Sequence, residues 1–339
     1  MENTKINTGI LSFGMSGRIF HAPFIYTNPH FNLTGVVERS KKTAHELYPD
    51  IKSYDSVEEL LADESIELVI VNTPNYTHLQ FAKAAFEAGK HVLLEKPAVE
   101  TSEQFNELLK HSKEHGKQLF FYQNRRFDSN FLDTKQVIES NELGKLIEVH
   151  IRYDRYKLEL GQKFFKEDTK YISNGLTYDL GPHLLDQAIA LFGKPTKFIK
   201  TTSINRPNSQ VVDYFNFHLH YPDGLNVYLT SSLLAAAPQP AIVIHGTKGS
   251  FVKDMTDVQE QQLINGILPD DPSFGIEPAG LEGKLVTIDT SNQKHESYLV
   301  SHKGDYNQLF VAIYDSLRNK RDYPIKAEQI KWQIEMLEA

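Results

Sequence analysis

A chain of 339 residues is longer than most single domains, and a hydrophobic fraction of 40 % is ordinary for a globular protein, so two cores are expected. Its 36 basic and 44 acidic side chains leave a net charge of −8, which argues against a general nucleic-acid binder and against a surface built for anionic lipid. Cysteine is absent, which excludes a disulfide scaffold, a zinc–thiolate site and a cysteine nucleophile.

From Ile6 to about Phe121, short apolar runs alternate with longer amphipathic segments. The runs Ile10–Phe13, Leu33–Val37, Leu68–Val71, His91–Leu94 and Leu119–Phe121 read as strands, and helices are expected near Arg18–Tyr26, Val57–Ala62, His78–Ala88 and Ser102–His115. This alternation predicts a doubly wound parallel sheet. After Asn124 the texture changes. A helix is expected over Phe131–Ser140, then one long alternating run over Leu146–Lys157 and a helix ending near Phe192. Strands follow at Lys197–Ile204, Asp213–Tyr221, Asn226–Leu233, Ala241–His245 and Gly249–Lys253, separated by turns such as Pro222-Asp223-Gly224. Leu263–Gly283 reads as a long loop, and two helices near Tyr306–Arg318 and Ala327–Leu337 close the chain. The expected architecture is α/β: residues 1–123 as a Rossmann-type nucleotide domain, and 124–339 as an α+β domain with a mostly antiparallel sheet. No apolar run approaches the roughly 20 residues needed to cross a bilayer, and the N-terminus lacks a leader pattern, so no membrane partner and a cytoplasmic location are expected.

The first strand–helix turn reads Ser12-Phe13-Gly14-Met15-Ser16-Gly17. A dinucleotide turn uses its second glycine to let backbone approach the pyrophosphate and its third to pack helix on strand; Gly14 and Gly17 supply these, with Ser12 in the first position. At the end of the second strand, Glu38 would accept from a free ribose 2′-hydroxyl and so favours NAD. Arg39 and Ser40 would hold a 2′-phosphate and favour NADP. The balance leans to NADP. Further cofactor contacts are expected at the strand ends, from Asn72, Thr73, Pro74, Asn75 and His78, from Glu95 and Lys96, and from Asn124. Asn75 is equally a candidate helix cap.

Two groups of residues could do chemistry. Lys96, placed by the apolar run Val92–Leu94 and followed by Pro97, could stabilise a developing alkoxide with its charge; the competing reading is a surface lysine. Asp179 and His183, four residues apart, share a face if their segment is helical. Pro182 fits either a helix starting there or a kink in a longer one. In the first case the helix N-terminus would favour a neutral His183, as a general base requires. Asp-x-x-x-His-x-x-Asp, ending at Asp186, could also begin a metal site, but no third convergent histidine or thiol is visible and no metal is expected.

With Gly14 and Gly17, Glu95-Lys96-Pro97 and Asp179…His183 in that order, the whole chain resembles the glucose–fructose oxidoreductase/inositol dehydrogenase (Gfo/Idh/MocA) family. The resemblance implies reversible oxidation of a ring hydroxyl in a sugar or cyclitol, with His183 taking the proton, Lys96 stabilising the oxyanion and Asp179 holding substrate and histidine. It also implies a homodimer or homotetramer built on the broad sheet. The segments Phe20-His21-Ala22-Pro23, Asn124-Arg125-Arg126-Phe127-Asp128 and Val212-Asp213-Tyr214-Phe215 resemble the NADP-dependent scyllo-inositol 2-dehydrogenase branch. There the paired arginines lie near the active site, with a structural ion-pair role equally open, and Phe164 or Phe165 could cover the nicotinamide. Two alternatives remain: a non-catalytic redox sensor on the same fold, and an NAD-assisted glycosidase or epimerase of the same family.

Overall fold

The computed structural model describes residues 5–160 and 167–339. The expectation for Phe164 and Phe165 lies outside the described residues. Two compact units emerge, and the chain passes between them more than once. One comprises residues up to Asn124 with Gln259–Phe274 and Asp305–Lys331; the other comprises Arg125–Val258, Gly275–Gly304 and Trp332–Ala339.

The first unit is built on a six-stranded sheet in the order β3-β2-β1-β4-β5-β6, every pairing parallel. Its strands are β1 (Ile6–Ile10), β2 (Phe31–Val37), β3 (Lys52–Tyr54), β4 (Leu68–Val71), β5 (His91–Leu94) and β6 (Leu119–Phe121). Helices α1 (Ala22–Thr27), α2 (Ala44–Leu47), α3 (Val57–Ala62), α4 (His78–Glu87) and α5 (Ser102–Glu114) connect them. All four residues of β4 are buried, as a central parallel strand covered on both faces requires.

The first strand begins earlier than expected. Asn7 and Thr8 break the apolar run, yet buried Thr8 satisfies its hydroxyl on the Ile6 carbonyl at 3.1 Å and stays in the strand. Leu11–Phe13 therefore belongs to the turn. Two short elements, β3 and α2, escape notice because Lys52-Ser53-Tyr54 and Ala44-His45-Glu46-Leu47 carry neither the apolar run that marks the equally short β4, β5 and β6 nor enough residues for a readable period.

The returning segments add α8 (Val258–Ile264), unexpected from sequence, and α9 (Asn307–Asn319). An aromatic cluster holds α9 here. Phe310 stacks on Phe24 with ring centres 5.5 Å apart, and Phe31 meets Phe310 edge-on at 6.2 Å. Arg318 adds a two-pronged pair with Glu67 at 2.6 Å on each side.

The second unit carries an eight-stranded sheet in the order β14-β13-β12-β11-β7-β10-β9-β8, antiparallel except where β10 meets β7. Its strands are β7 (Leu146–Arg152), β8 (Lys197–Ser203), β9 (Tyr214–His220), β10 (Asn226–Ser232), β11 (Ile242–Gly246), β12 (Gly249–Lys253), β13 (Gly283–Ile288) and β14 (Lys294–Leu299). Helices α6 (Ser129–Ser140) and α7 (Leu176–Phe192) lie in this unit, and α10 (Ala327–Glu338) ends in it.

Strand β7 stops short of the expected Lys157. The chain still follows β10, with the Tyr153 N–H on the Thr230 carbonyl at 3.1 Å and the Arg155 N–H on that of Ser232 at 2.9 Å. The buried carboxylate of Asp154, paired with Arg152 Nε at 2.8 Å, accepts the Ser232 N–H at 3.0 Å and interrupts the regular ladder. Strands β13 and β14 were not expected, although Leu285-Val286-Thr287-Ile288 in β13 is a β-branched run of the kind that marks a strand. β14 is an edge strand exposed on both faces, so its residues need not alternate. Among the described residues, no helix is long and apolar enough to cross a membrane.

Candidate active site

In the first unit the turn after β1 is clasped from the side. Ser12 donates its backbone N–H to Asn72 Oδ1 at 3.0 Å, and Asn72 Nδ2 donates back to the Ser12 carbonyl at 2.8 Å. Ser12 is not among the residues at positive φ, so the first position of this turn does not need glycine. Gly17 is required for another reason: a Cβ there would lie 2.1 Å from the Ser12 carbonyl oxygen. At Gly14 the same atom would meet nothing closer than Ser12 Oγ at 3.7 Å, so that face of the turn is open. Close packing at the third glycine and open backbone at the second fit a bound pyrophosphate. Phe13 is buried, and Met15 is exposed on the open turn.

Gly17→Ala should therefore strike fold and cofactor together. The methyl group must displace the carbonyl that Asn72 holds, a strain of about 1–3 kcal/mol. We expect a lower melting temperature and weakened nicotinamide-nucleotide binding; a variant matching wild type in both would remove the close-packing assignment.

At the end of β2, Glu38 is turned away from solvent. Its carboxylate accepts the Thr43 N–H at 2.9 Å, the Ala44 N–H at 3.2 Å, the Thr43 hydroxyl at 3.2 Å and the Ser53 hydroxyl at 2.7 Å. Burial would raise its pKa, but these donors outweigh burial and lower it. Arg39, Ser40 and Lys41 are exposed beside it.

Beyond β4, Asn75 opens a single helical turn over Asn75–Thr77, and the cap position of α4 falls on Thr77 rather than on Asn75. Thr73 and Thr77 share a hydroxyl–hydroxyl bond of 2.7 Å, and Pro74 is exposed. His78 is fully buried, with Nδ1 at 2.8 Å from the Pro97 carbonyl and Nε2 at 2.9 Å from that of Thr73. It fills the space between the ends of β4 and β5, and its one N–H in the neutral form can serve either carbonyl. Burial lowers its pKa, against the raising effect of those carbonyls and of Glu95. Asn124 is buried at the head of a helical turn over Asn124–Phe127.

At the end of β5 sits a junction that the sequence reading did not assemble. Glu95 Oε1 accepts from the Ser16 hydroxyl at 2.9 Å and lies 2.8 Å from His21 Nε2, while Oε2 accepts the Lys96 backbone N–H at 3.1 Å. Burial alone would raise the Glu95 pKa; His21, Lys96 and Ser16 overcome it and hold the carboxyl ionised below its ordinary range. The Lys96–Pro97 peptide is cis. The one hint of His21 in the sequence was the Phe20-His21-Ala22-Pro23 segment, because its partner lies 74 residues away.

In the second unit, Pro182 lies inside the continuous helix α7, so no helix begins there and His183 gains nothing from a helix N-terminus. Asp179 stands in the first turn, half-buried, and His183 one turn later, buried, on the same face. Gly175 at φ 88° starts this helix, where the Leu176 N–H reaches the Val212 carbonyl at 2.7 Å. Asp213 accepts the backbone N–H groups of Asn205 and Arg206, which folds the loop beyond β8.

The paired arginines are tied into ion pairs. Arg126 grips Asp186 through Nε at 2.7 Å and Nη2 at 2.8 Å, and Arg125 reaches Asp128 at 3.1 Å and Asp257 at 2.8 Å. Asp186 also accepts from Gln333, so the aspartate that could have extended a metal array is committed elsewhere.

A family model described as the oxidoreductase family with NAD-binding Rossmann fold matches residues 6–123, and one for the GFO/IDH/MocA C-terminal domain matches residues 131–252. The chain belongs to the Gfo/Idh/MocA oxidoreductase family. Within it, this chain is 34 % identical to the scyllo-inositol 2-dehydrogenase (NADP(+)) IolW of Bacillus subtilis, over 98 % of this chain and 92 % of the relative. Among solved structures, one described as an oxidoreductase from Bacteroides fragilis superposes with a TM-score of 0.89 at 38 % identity, covering 98 % of this chain and 96 % of that one. The Bacillus subtilis oxidoreductase yvaA gives 0.95 at 33 % identity, covering 100 % and 96 %. The expected family and two-sheet α/β architecture are thus both found.

Proposed function

We propose that this protein is an NADP-dependent dehydrogenase that moves a hydride between the cofactor and a ring hydroxyl or ketone of a cyclitol or sugar, with scyllo-inositol and its ketone as lead substrates. The observation that carries the NADP half is Glu38. A carboxylate already accepting three hydrogen bonds from Thr43 and Ala44 in the loop that follows it, and a fourth from Ser53 on β3, has little capacity left for a ribose hydroxyl, and it leaves exposed Arg39 and Ser40 as the nearest groups for a 2′-phosphate. The full-length likeness to an NADP-dependent scyllo-inositol dehydrogenase supports the substrate class.

A bound nicotinamide supplies the hydride acceptor. The chain's own groups do the rest in this reading. His183 takes the hydroxyl proton, Asp179 on the same helical face holds the imidazole and the substrate, and the Lys96 ammonium stabilises the alkoxide as it forms. Phe13, Gly14, Met15, Ser16 and Gly17 carry the pyrophosphate, with Asn72 fixing their turn. A homo-oligomer is part of this reading, with the half-buried strip of the second sheet where His150 and His218 stack on Tyr228 at 4.9 and 4.3 Å as the surface proposed for the contact.

Separate titrations with NADPH and NADH test the cofactor assignment. We expect tighter NADPH binding, and an Arg39→Ala variant that loses roughly tenfold or more for NADPH while NADH is little changed. Tighter NADH binding would return the site to Glu38, and binding of neither would overturn the dehydrogenase reading.

A further inference from the structure

His21 is a fully buried imidazole that the proposed chemistry does not use, and its placement is specific. Between Gly17 and His21 the backbone forms one wide π-type turn, in which the Ala22 N–H reaches back five residues to the Gly17 carbonyl. Pro23 follows. Its ring would crowd the carbonyl four residues earlier and it has no N–H to offer, so a widened turn just before it relieves both conflicts. The widening sets His21 against Glu95 from one side and against the Tyr122 ring, 4.5 Å away, from the other. Tyr122 is pinned in turn by its hydroxyl on the Phe20 carbonyl at 2.7 Å.

Glu95 is ionised and can only accept, so the 2.8 Å contact requires a proton on His21 Nε2. One carboxylate therefore gathers three donors from three places: Ser16 in the glycine-rich turn, His21 in the π-type turn and the backbone N–H of Lys96. Withdraw His21, and burial acts on Glu95 with less to oppose it.

We propose that His21 is a positioning residue: by holding Glu95 it aligns the glycine-rich turn and the backbone of Lys96 as one rigid unit, coupling the cofactor cradle to the catalytic lysine. This rests on the cofactor and Lys96 assignments of the proposed function. The groups facing Glu95 are Ser16, His21, His78 from α4 and Lys96. Of these, His21 is the one whose removal leaves both the turn and the lysine in sequence.

The test is NADPH fluorescence titration of the full-length protein across pH, comparing wild type, His21→Phe and His21→Gln. Phenylalanine keeps the ring packed on Tyr122 but removes the donor; glutamine restores an N–H that can reach Glu95. We expect His21→Phe to bind NADPH roughly tenfold more weakly, the size of one lost charge-assisted hydrogen bond. The deficit should grow as pH falls, because a carboxyl with fewer donors protonates at higher pH than in wild type, and Ser16 then loses its charged partner. His21→Gln should recover most of the affinity and the flatter profile. A His21→Phe protein indistinguishable from wild type in affinity and pH profile overturns the proposal, as does a glutamine variant no better than phenylalanine. Should His21→Phe fail to fold, Glu95→Gln decides: weakened, pH-independent NADPH binding supports the proposal and wild-type affinity defeats it. Wild-type protein that binds neither NADPH nor NADH would overturn the functional reading itself, a result visible before any variant is made.

Discussion

Replacing Lys96 with methionine should lower turnover by roughly 10²–10³-fold or more, with NADPH affinity close to wild type. The expectation follows from how the residue is held. Strand β5 is buried through Val92–Leu94, so the backbone that presents residue 96 is rigid, and its N–H is fixed by Glu95 Oε2 at 3.1 Å. That bond belongs to the backbone and survives any side-chain change. Methionine keeps most of the aliphatic stem and discards only the ammonium. Glu95 loses one of the charges that keep it ionised, but the hydrogen bonds from His21 and Ser16 remain, so the glycine-rich turn stays held. The lost term is then the stabilisation of an alkoxide that exists only near the transition state, which falls on kcat and not on cofactor binding. Steady-state kinetics beside fluorescence titration reads both. Undiminished turnover would end the assignment of Lys96, and a matching collapse of NADPH affinity would make it a binding residue instead.

How much of this was legible in the sequence depends on the range over which each signal acts. Strand β4 and helix α3 came out residue for residue, because a buried apolar run and a helical period are local patterns. The first strand was displaced since Thr8 hides its polarity in a bond to its own neighbour, which no hydropathy pattern records. Strand β14 was invisible because an edge strand exposed on both faces has no reason to alternate. Gly14 and Gly17 were readable as a pair, whereas the reasons they differ needed coordinates: a Cβ at Gly14 would fit at 3.7 Å from Ser12 Oγ, and one at Gly17 would collide with the Ser12 carbonyl at 2.1 Å. Glu38 shows the same limit. Sequence placed an acid where a ribose would sit, but the direction of its carboxylate depends on Thr43, Ala44 and Ser53. The His21–Glu95 pair joins residues 74 positions apart through a proline-induced widening of one turn, and neither residue type nor spacing announces it.

His183→Ala should remove the acid limb from the pH profile of alcohol oxidation and cost roughly 10²–10⁴-fold at its optimum. The sign follows from the direction of proton transfer. A base must be unprotonated to accept the hydroxyl proton, so in wild type kcat/KM falls as pH drops and the imidazole fills. Without the imidazole that loss has no group to report, and the residual rate should vary only with whatever else titrates. The helix makes the assignment specific to one residue. Pro182 withholds its N–H from the turn that carries Tyr178 and Asp179, yet the helix runs on from Leu176 to Phe192, so Asp179 and His183 keep their one-turn spacing. Asp186, one turn further along, is bound to Arg126 and Gln333 and cannot take over as base without breaking a buried ion pair. An alanine variant that keeps its melting temperature but retains the wild-type acid limb would therefore reject His183 and move the search for the base to Asp179.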